Sequence, residues 1–126
     1  MEKARILIMD DDRMIIELSR QILEHLGYEV VTAEDGKAAI EYYQQAMAGK
    51  NPFDLVIMDL TIPGGMGGKE TIKKLLNIDP EVRAIVSSGY SHDPVMAEYR
   101  KYGFKGIIVK PYQVKDLKEI VEQTLQ

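Results

Sequence analysis

Short apolar runs rich in β-branched residues alternate along the chain with longer amphipathic stretches. Three of the runs are continuously apolar, which is typical of strands that are buried on both faces of a parallel sheet. The pattern therefore predicts five buried strands. The five runs cover residues 6–9, 28–33, 53–58, 82–86 and 106–109.

The stretches between these runs carry apolar residues at spacings of three and four, which predicts helices with one buried face. Gly27, Gly49 and Gly103 fall where the C-caps of such helices are expected. Asp93 and Pro94 have the residue types of an N-cap and a first helical turn. The apolar helical positions run from Ile15 to Leu26, Ala39 to Met47, Ile72 to Leu76, Val95 to Tyr99 and Leu117 to Val121.

Five strands that alternate with five helices predict an α/β fold, with right-handed crossovers and helices on both faces of a parallel sheet. A length of 126 residues fits one domain, and we assign residues 1–126 to a single domain. In such sheets ligands bind beyond the carboxyl ends of the strands. The residues that follow each strand are therefore the candidates for chemistry.

Composition and charge narrow the possible function classes. The formal net charge is -4, which provides no broad basic surface for nucleic acid or anionic lipid. The chain has no Cys, which excludes disulfides, thiolate metal sites and a Cys nucleophile. The longest apolar runs are far too short to span a bilayer, and the polar N-terminus has no signal-peptide core. We expect a cytoplasmic protein that neither binds nucleic acid nor inserts into a membrane.

Acidic side chains, a hydroxyl and an ammonium group follow the predicted strands. Residues 10–12 are three consecutive Asp after the first strand, Asp59 ends the third, and Ser87 and Lys110 end the fourth and fifth. Closely placed carboxylates repel one another, and a hard divalent cation such as Mg²⁺ relieves that repulsion. A carboxylate can also act as a nucleophile and form an aspartyl phosphate, where a metal and a lysine offset the repulsion between two anions.

Four short motifs at these strand ends fall in the order of a known family. On these motifs the chain resembles, over essentially its whole length, the receiver domain of two-component response regulators. The resemblance implies the CheY-like, flavodoxin-like fold, with five parallel strands in the order 2-1-3-4-5 and five flanking helices. It also implies that a histidine kinase or a histidine phosphotransfer domain donates a phosphoryl group to the chain. The motifs are Met9-Asp10-Asp11, Val56 to Asp59 with Pro63 four residues on, Val86-Ser87-Ser88, and Val109 to Tyr112.

The resemblance assigns a role to each matching residue. Asp59 matches the phosphoacceptor, Ser87 matches the switch hydroxyl that moves toward the phosphoryl group, and Lys110 matches the lysine of the site. Such a domain catalyses only its own phosphorylation and dephosphorylation and is not a turnover enzyme. The matching Mg²⁺ ligands are Asp11, Asp59 and the Thr61 backbone carbonyl directly, with Asp10 through water.

The resemblance also implies which surface binds the downstream partner. The sequence departs from the common pattern of the family near this surface. The implied partner surface is the face formed by the fourth helix, the fifth strand and the fifth helix. Ile107 stands where many receivers have a Tyr or Phe that rotates inward, which leaves the readout open. The loop at residues 64–68 is richer in Gly than is common, resembles receivers of hybrid sensor kinases, and is expected to be mobile. The Lys110-Pro111 bond matches the family's cis peptide.

Two other functions remain open on the sequence. Residues 9–12 also resemble the nucleophile motif of haloacid-dehalogenase-like phosphohydrolases, in which Asp10 would be the nucleophile. Against that reading, Arg13 stands where that family has a small residue, and no cap domain excludes water. A receiver-like fold that serves only as a binding module would bind no Mg²⁺. Asp12 itself is expected to cap the first helix rather than to bind a metal.

Overall fold

The structure is a computed structural model that describes residues 3–90 and 92–126. Five strands form one sheet in the order β2-β1-β3-β4-β5, which confirms the order that the resemblance implies. Every neighbouring pair of strands is parallel. The strands are β1 (Arg5–Met9), β2 (Glu29–Ala33), β3 (Leu55–Asp59), β4 (Ala84–Ser88) and β5 (Gly106–Val109).

Two strands begin two residues later than the apolar pattern predicts. β3 and β4 start at Leu55 and Ala84, although Phe53 and Val82 are themselves buried. Phe53 stacks on the Tyr43 ring, with 6.2 Å between the ring centroids, and Val82 lies in a turn. The apolar pattern indicates burial and not strand pairing. The two predicted strand starts were therefore wrong, because they included buried residues that lie in the preceding loops.

The part of the chain that the structure describes contains six helical segments, one more than predicted. The predicted fourth helix is interrupted at Glu98, whose φ of -116° and ψ of 33° lie outside the helical region. Hydrogen bonding then restarts, with the Lys101 N–H donating to the Glu98 carbonyl. The segments are α1 (Arg13–His25), α2 (Gly36–Ala48), α3 (Gly68–Ile78), α4 (Pro94–Ala97), α5 (Tyr99–Tyr102) and α6 (Val114–Leu125). None of these described helices is long and apolar enough to cross a membrane, and the cytoplasmic location stays a prediction.

The helix ends largely follow the predicted caps. Asp12 is the N-cap of α1, and its carboxylate accepts hydrogen bonds from two backbone N–H groups of the first turn. Gly27 and Gly103 take left-handed φ values of 98° and 101°, which a residue without Cβ adopts at little cost. Gly49 is the C-cap of α2 as predicted, with a negative φ, and Lys50 after it takes the left-handed conformation.

Alternate strand residues pack on opposite faces of the sheet, which confirms the predicted burial on both sides. One face packs against α1 and α6, and the other against α2 and α3. Because side chains alternate along a strand, a residue two positions further on projects to the same face. On the face that packs against α1 and α6, the last apolar residue of each of four strands is followed two positions later by a candidate site residue. These pairs are Ile8 and Asp10, Ile57 and Asp59, Ile85 and Ser87, and Ile108 and Lys110.

Candidate functional site

Lys110 contacts two buried carboxylates at the carboxyl edge of the sheet. Its Nζ lies 2.6 Å from Asp10 Oδ2 and 3.0 Å from Asp59 Oδ2. Asp10 is 1% exposed and Asp59 is 6% exposed. Since all three groups are largely removed from bulk water, their charges interact more strongly than on an open surface.

Asp11 completes a cluster of three carboxylates. One oxygen each from Asp10, Asp11 and Asp59 lies within 4.8 Å of the others, and Asp11 is the exposed member. Asp10 Oδ1 accepts a 2.9 Å hydrogen bond from the Asp12 N–H. Within residues 3–90 and 92–126 the buried Asp10 Oδ2 makes no hydrogen bond, and its contact with Lys110 is an ion pair. The structure thus brings together the acidic residues and the lysine that the sequence singles out.

The burial and charges of this cluster shift its proton affinities. Burial raises the pKa of Asp59, the hydrogen bond from Lys110 opposes that rise, and the charge of Asp10 adds to it, which leaves the pKa above its ordinary value. Burial alone would lower the pKa of Lys110, but Asp10 and Asp59 outweigh it, and the ammonium pKa is raised. Lys110 therefore stays charged at neutral pH, whereas burial and the charge of Asp10 disfavour the ionised form of Asp59.

The donor set fits a hard divalent cation. Among the described residues the three carboxylates have one ammonium beside them, so negative charge is in excess. Carboxylate oxygens are the ligands that Mg²⁺ prefers. Apart from the ion pair with Lys110, the buried Asp10 Oδ2 has no hydrogen-bond partner among the described residues, and a metal-bound water could supply one. Thr61 lies beside the cluster, because its N–H donates to Asp59 Oδ1 at 3.4 Å. A ligand role for the Thr61 carbonyl stays a prediction.

Mg²⁺ should raise the melting temperature of the protein, because an ion that binds only the folded state stabilises it. At a Mg²⁺ concentration one hundred times its Kd, the gain is about 2.7 kcal/mol. Asp11→Asn should remove most of this gain. Asp12→Asn is the matched control, since it changes the same charge one position away and keeps a good N-cap residue. Thermal unfolding at constant ionic strength measures the effect. Equal Mg²⁺ responses in wild type and Asp11→Asn would contradict the metal assignment.

Ser87 lies in β4 in register with Asp59, and its hydroxyl is bound by a residue of the fourth motif to which the sequence analysis assigns no role at the site. Ser87 Oγ and the Tyr112 hydroxyl form a buried hydrogen bond. Tyr112 follows the Lys110-Pro111 bond, which is cis as the resemblance implies. Burial raises the pKa of Tyr112 to about 12, so the phenol stays protonated at neutral pH. The sequence signal was a Tyr two residues after Lys110, but no pattern shows which hydroxyl it reaches.

Comparison with known proteins identifies the receiver domain that the sequence motifs resemble. Residues 6–122 match the family model described as response regulator receiver domain. The chemotaxis protein CheY of Bacillus subtilis is 36% identical over 122 residues, which cover 96% of this chain and 97% of that protein.

Solved structures match the fold along almost the whole chain. A chain in the CheX–CheY–BeF3–Mg²⁺ complex from Borrelia burgdorferi superposes with a TM-score of 0.88 and 25% identity, covering 98% of this chain and 90% of that one. The receiver domain of the hybrid histidine kinase CckA gives a TM-score of 0.78 and 30% identity, covering 98% of this chain and 100% of that domain. CheY proteins and a hybrid-kinase receiver both match, so these comparisons do not separate the two kinds.

The phosphohydrolase alternative finds no support in these matches. The structure also argues against Asp10 as a nucleophile. Asp10 is almost fully buried, one of its oxygens accepts from Asp12, and the other faces Lys110. A nucleophile needs an oxygen that a substrate can approach, and Asp59 is the more accessible of the two, with 6% exposure against 1% for Asp10 and with the exposed Asp11 beside it.

Proposed function

Because the chain belongs to the response regulator receiver domain family, we propose that residues 1–126 act as one receiver domain with Asp59 as the phosphoacceptor. The observation that carries this proposal is the ion cluster in which one ammonium, that of Lys110, contacts both Asp10 and Asp59. A carboxylate that accepts a phosphoryl group needs nearby positive charge, because both reacting groups are anionic.

The proposed transfer is a displacement at phosphorus. An Asp59 oxygen forms a bond to the phosphorus of a phosphohistidine, and the phosphorus–nitrogen bond breaks. The electron pair of that bond stays on the imidazole nitrogen, and the product on Asp59 is a mixed anhydride. Lys110 then has phosphoryl oxygens within reach beside Asp59, and its charge stabilises them. Ser87 donates its hydroxyl proton to the same oxygens.

Mg²⁺ is the cofactor that the cluster would hold. Asp11, Asp59 and the Thr61 carbonyl would bind it directly, and Asp10 would bind it through water. When bound, the ion supplies the positive charge that offsets the repulsion between the carboxylates and the phosphoryl oxygens. The presence of Mg²⁺ and BeF3 in the Borrelia burgdorferi complex supports this choice of ion.

The proposed partners are of two kinds. The phosphoryl donor is a histidine kinase or a histidine phosphotransfer domain, which would approach the exposed Asp11 side of the cluster. The downstream partner would bind the face formed by α4, α5, β5 and α6, which correspond to the fourth helix, fifth strand and fifth helix predicted from the sequence. Val109 is 42% exposed at this edge strand and gives that face an apolar contact.

Treatment with acetyl phosphate and Mg²⁺ should add one phosphate per chain, because Asp59 is the only proposed acceptor. Intact-mass and peptide spectrometry should place it on Asp59, and hydroxylamine should remove it as it removes acyl phosphates. Chelation of Mg²⁺ should prevent the labelling. Phosphate on another residue, or steady hydrolysis of a phosphomonoester that Asp10→Asn abolishes, would overturn the proposal.

A further inference from the structure

We propose that Tyr112 is a positioning residue for phosphoryl capture. Its phenol donates a hydrogen bond to Ser87 Oγ and thereby directs the Ser87 hydroxyl proton toward the phosphoryl group on Asp59. The inference rests on the proposed function of Asp59 and Ser87. Tyr112 belongs to the fourth strand-end motif but has no role in the proposed transfer, and its contact with Ser87 supports one.

Both hydroxyls of the contact are removed from water. Ser87 is 0% exposed and Tyr112 is 7% exposed. In the described ranges, neither hydroxyl has a second hydrogen-bond partner besides the other. Since buried polar groups that lack a partner destabilise the protein, the direction of this one bond decides where both protons lie.

The contact geometry allows either hydroxyl to donate, and the acidity of the two groups selects the phenol as the donor. Each hydroxyl carries one proton and two acceptor lone pairs. If Ser87 donated to Tyr112, the phenolic proton would be buried without any acceptor. If Tyr112 donates, the Ser87 proton is the one without an acceptor, and it becomes satisfied only when a third group reaches it. The phenol is also the more acidic hydroxyl of the two, which makes it the better donor.

The third group available to the Ser87 proton is the phosphoryl group on Asp59. Ser87 and Asp59 are register partners on the adjacent strands β4 and β3, and both lie on the sheet face that packs against α1 and α6. Adjacent strands are about 4.8 Å apart, so phosphoryl oxygens on Asp59 come within hydrogen-bond reach of Ser87 Oγ. Accepting from Tyr112 leaves Ser87 free to donate in that direction.

The position of Tyr112 also connects the site to the partner face. Tyr112 lies two residues after Lys110 and two residues before α6 begins at Val114. One short loop therefore presents both the ammonium and the phenol to the site. Ile107 has no polar group that could hydrogen-bond Ser87, so the Tyr112 hydroxyl is the polar contact that joins Ser87 to the loop before α6.

The test compares initial rates of Asp59 phosphorylation by acetyl phosphate with Mg²⁺ in single and double variants of Tyr112 and Ser87. Tyr112→Phe keeps the ring and removes only the hydroxyl, and it should slow phosphorylation about fivefold, the loss of one oriented hydrogen bond. Ser87→Ala should slow it about tenfold or more. The double variant should be no slower than Ser87→Ala, because Tyr112 acts only through Ser87. Ser87→Thr keeps a hydroxyl and should retain the sensitivity to Tyr112→Phe.

Tyr42→Phe is the matched control, since it removes the hydroxyl of a tyrosine that is 42% exposed and should leave the rate unchanged. A Tyr112→Phe rate equal to or above that of wild type would overturn the inference and leave the proposed function standing. Independent, multiplying effects in the double variant would also overturn it, because a merely structural role of Tyr112 predicts them. A wild-type chain that takes no phosphate on Asp59 overturns the proposed function and the inference together.

Discussion

Asp59→Asn should abolish phosphoryl uptake and, in metal-free buffer at neutral pH, raise the stability of the folded protein. The amide has no nucleophilic carboxylate oxygen, so labelling by acetyl phosphate should fall below detection. The amide is also neutral and of nearly the same shape, and it removes a buried carboxylate that lies beside Asp10. The expected gain is about 1 kcal/mol, or roughly 3–5 °C in melting temperature.

The stability gain from Asp59→Asn should depend on pH. Burial raises the pKa of Asp59 in the folded protein above its value in the unfolded chain. Protonated Asp59 therefore contributes its full stability below the pKa of the unfolded chain, near 3.8. That contribution is lost as the pH rises through the pKa of Asp59 in the folded protein. Asp59→Asn should therefore be more stable than wild type only at a pH above the pKa of Asp59 in the folded protein. Thermal unfolding from acid to neutral pH in the presence of a chelator measures this difference.

Added Mg²⁺ should reverse the order, because the cation stabilises wild type and Asp59→Asn lacks one of its proposed ligands. Asp54→Asn is the control for a charge change next to the same strand. Asp54 is exposed and its carboxylate accepts from the Arg5 N–H, a bond that the Asn oxygen can keep, so both stability and labelling should stay near wild type. Phosphate on Asp59→Asn, or a loss of stability at neutral pH without metal, would contradict the assignment of Asp59.

The sequence was most informative where periodicity and topology act together. Continuous apolar runs predicted strands buried on both faces, and the two packed faces of the sheet confirm this. Once the strands are parallel, their carboxyl ends meet at one edge, which explains why Asp10, Asp59 and Lys110 could be expected together before any distance was known. The strand order itself came from the family resemblance, since alternating strands and helices alone do not fix it.

The missed features depend on atomic contacts that no periodic pattern encodes. Val95 and the partly buried Tyr99 pack in the same core cluster on either side of the interruption at Glu98, so their spacing does not reveal it. The partner of Ser87 depends on how far the Tyr112 ring reaches into the site, which is a property of the packed structure.

The glycine-rich loop shows the same limit. Its composition predicted mobility, but the structure gives separate steric reasons for individual glycines. Gly64 has a left-handed φ of 75°, which a residue with a Cβ rarely adopts. A Cβ on Gly68 would lie 2.9 Å from the Asp59 carbonyl oxygen, and one on Gly67 would lie 2.4 Å from the Leu60 carbonyl oxygen. The close approach of this loop to the end of β3, and not flexibility alone, therefore accounts for two of its glycines.

Gly67→Ala should destabilise the protein by about 2–3 kcal/mol, because the new methyl group meets backbone and cannot be relieved by a side-chain rotation. The Gly68 N–H donates to the same Leu60 carbonyl at 3.1 Å, so relief of the clash also stretches this hydrogen bond. Leu60 directly follows Asp59, and the displacement should therefore also weaken the Mg²⁺ response and slow phosphorylation. Denaturant unfolding and the Mg²⁺-dependent shift in melting temperature measure the two effects.

Gly65→Ala separates backbone contact from loop composition, because it changes the same loop by the same methyl group. Its nearest neighbours are side-chain atoms of Ile62 and Asp35 at 3.2 and 3.4 Å, which can move by the small amount required. This variant should lose less than about 1 kcal/mol and keep the Mg²⁺ response. If Gly67→Ala and Gly65→Ala were equally stable, the contact with Leu60 would not be what requires glycine at position 67, and the flexibility predicted from composition would be the better explanation of the loop.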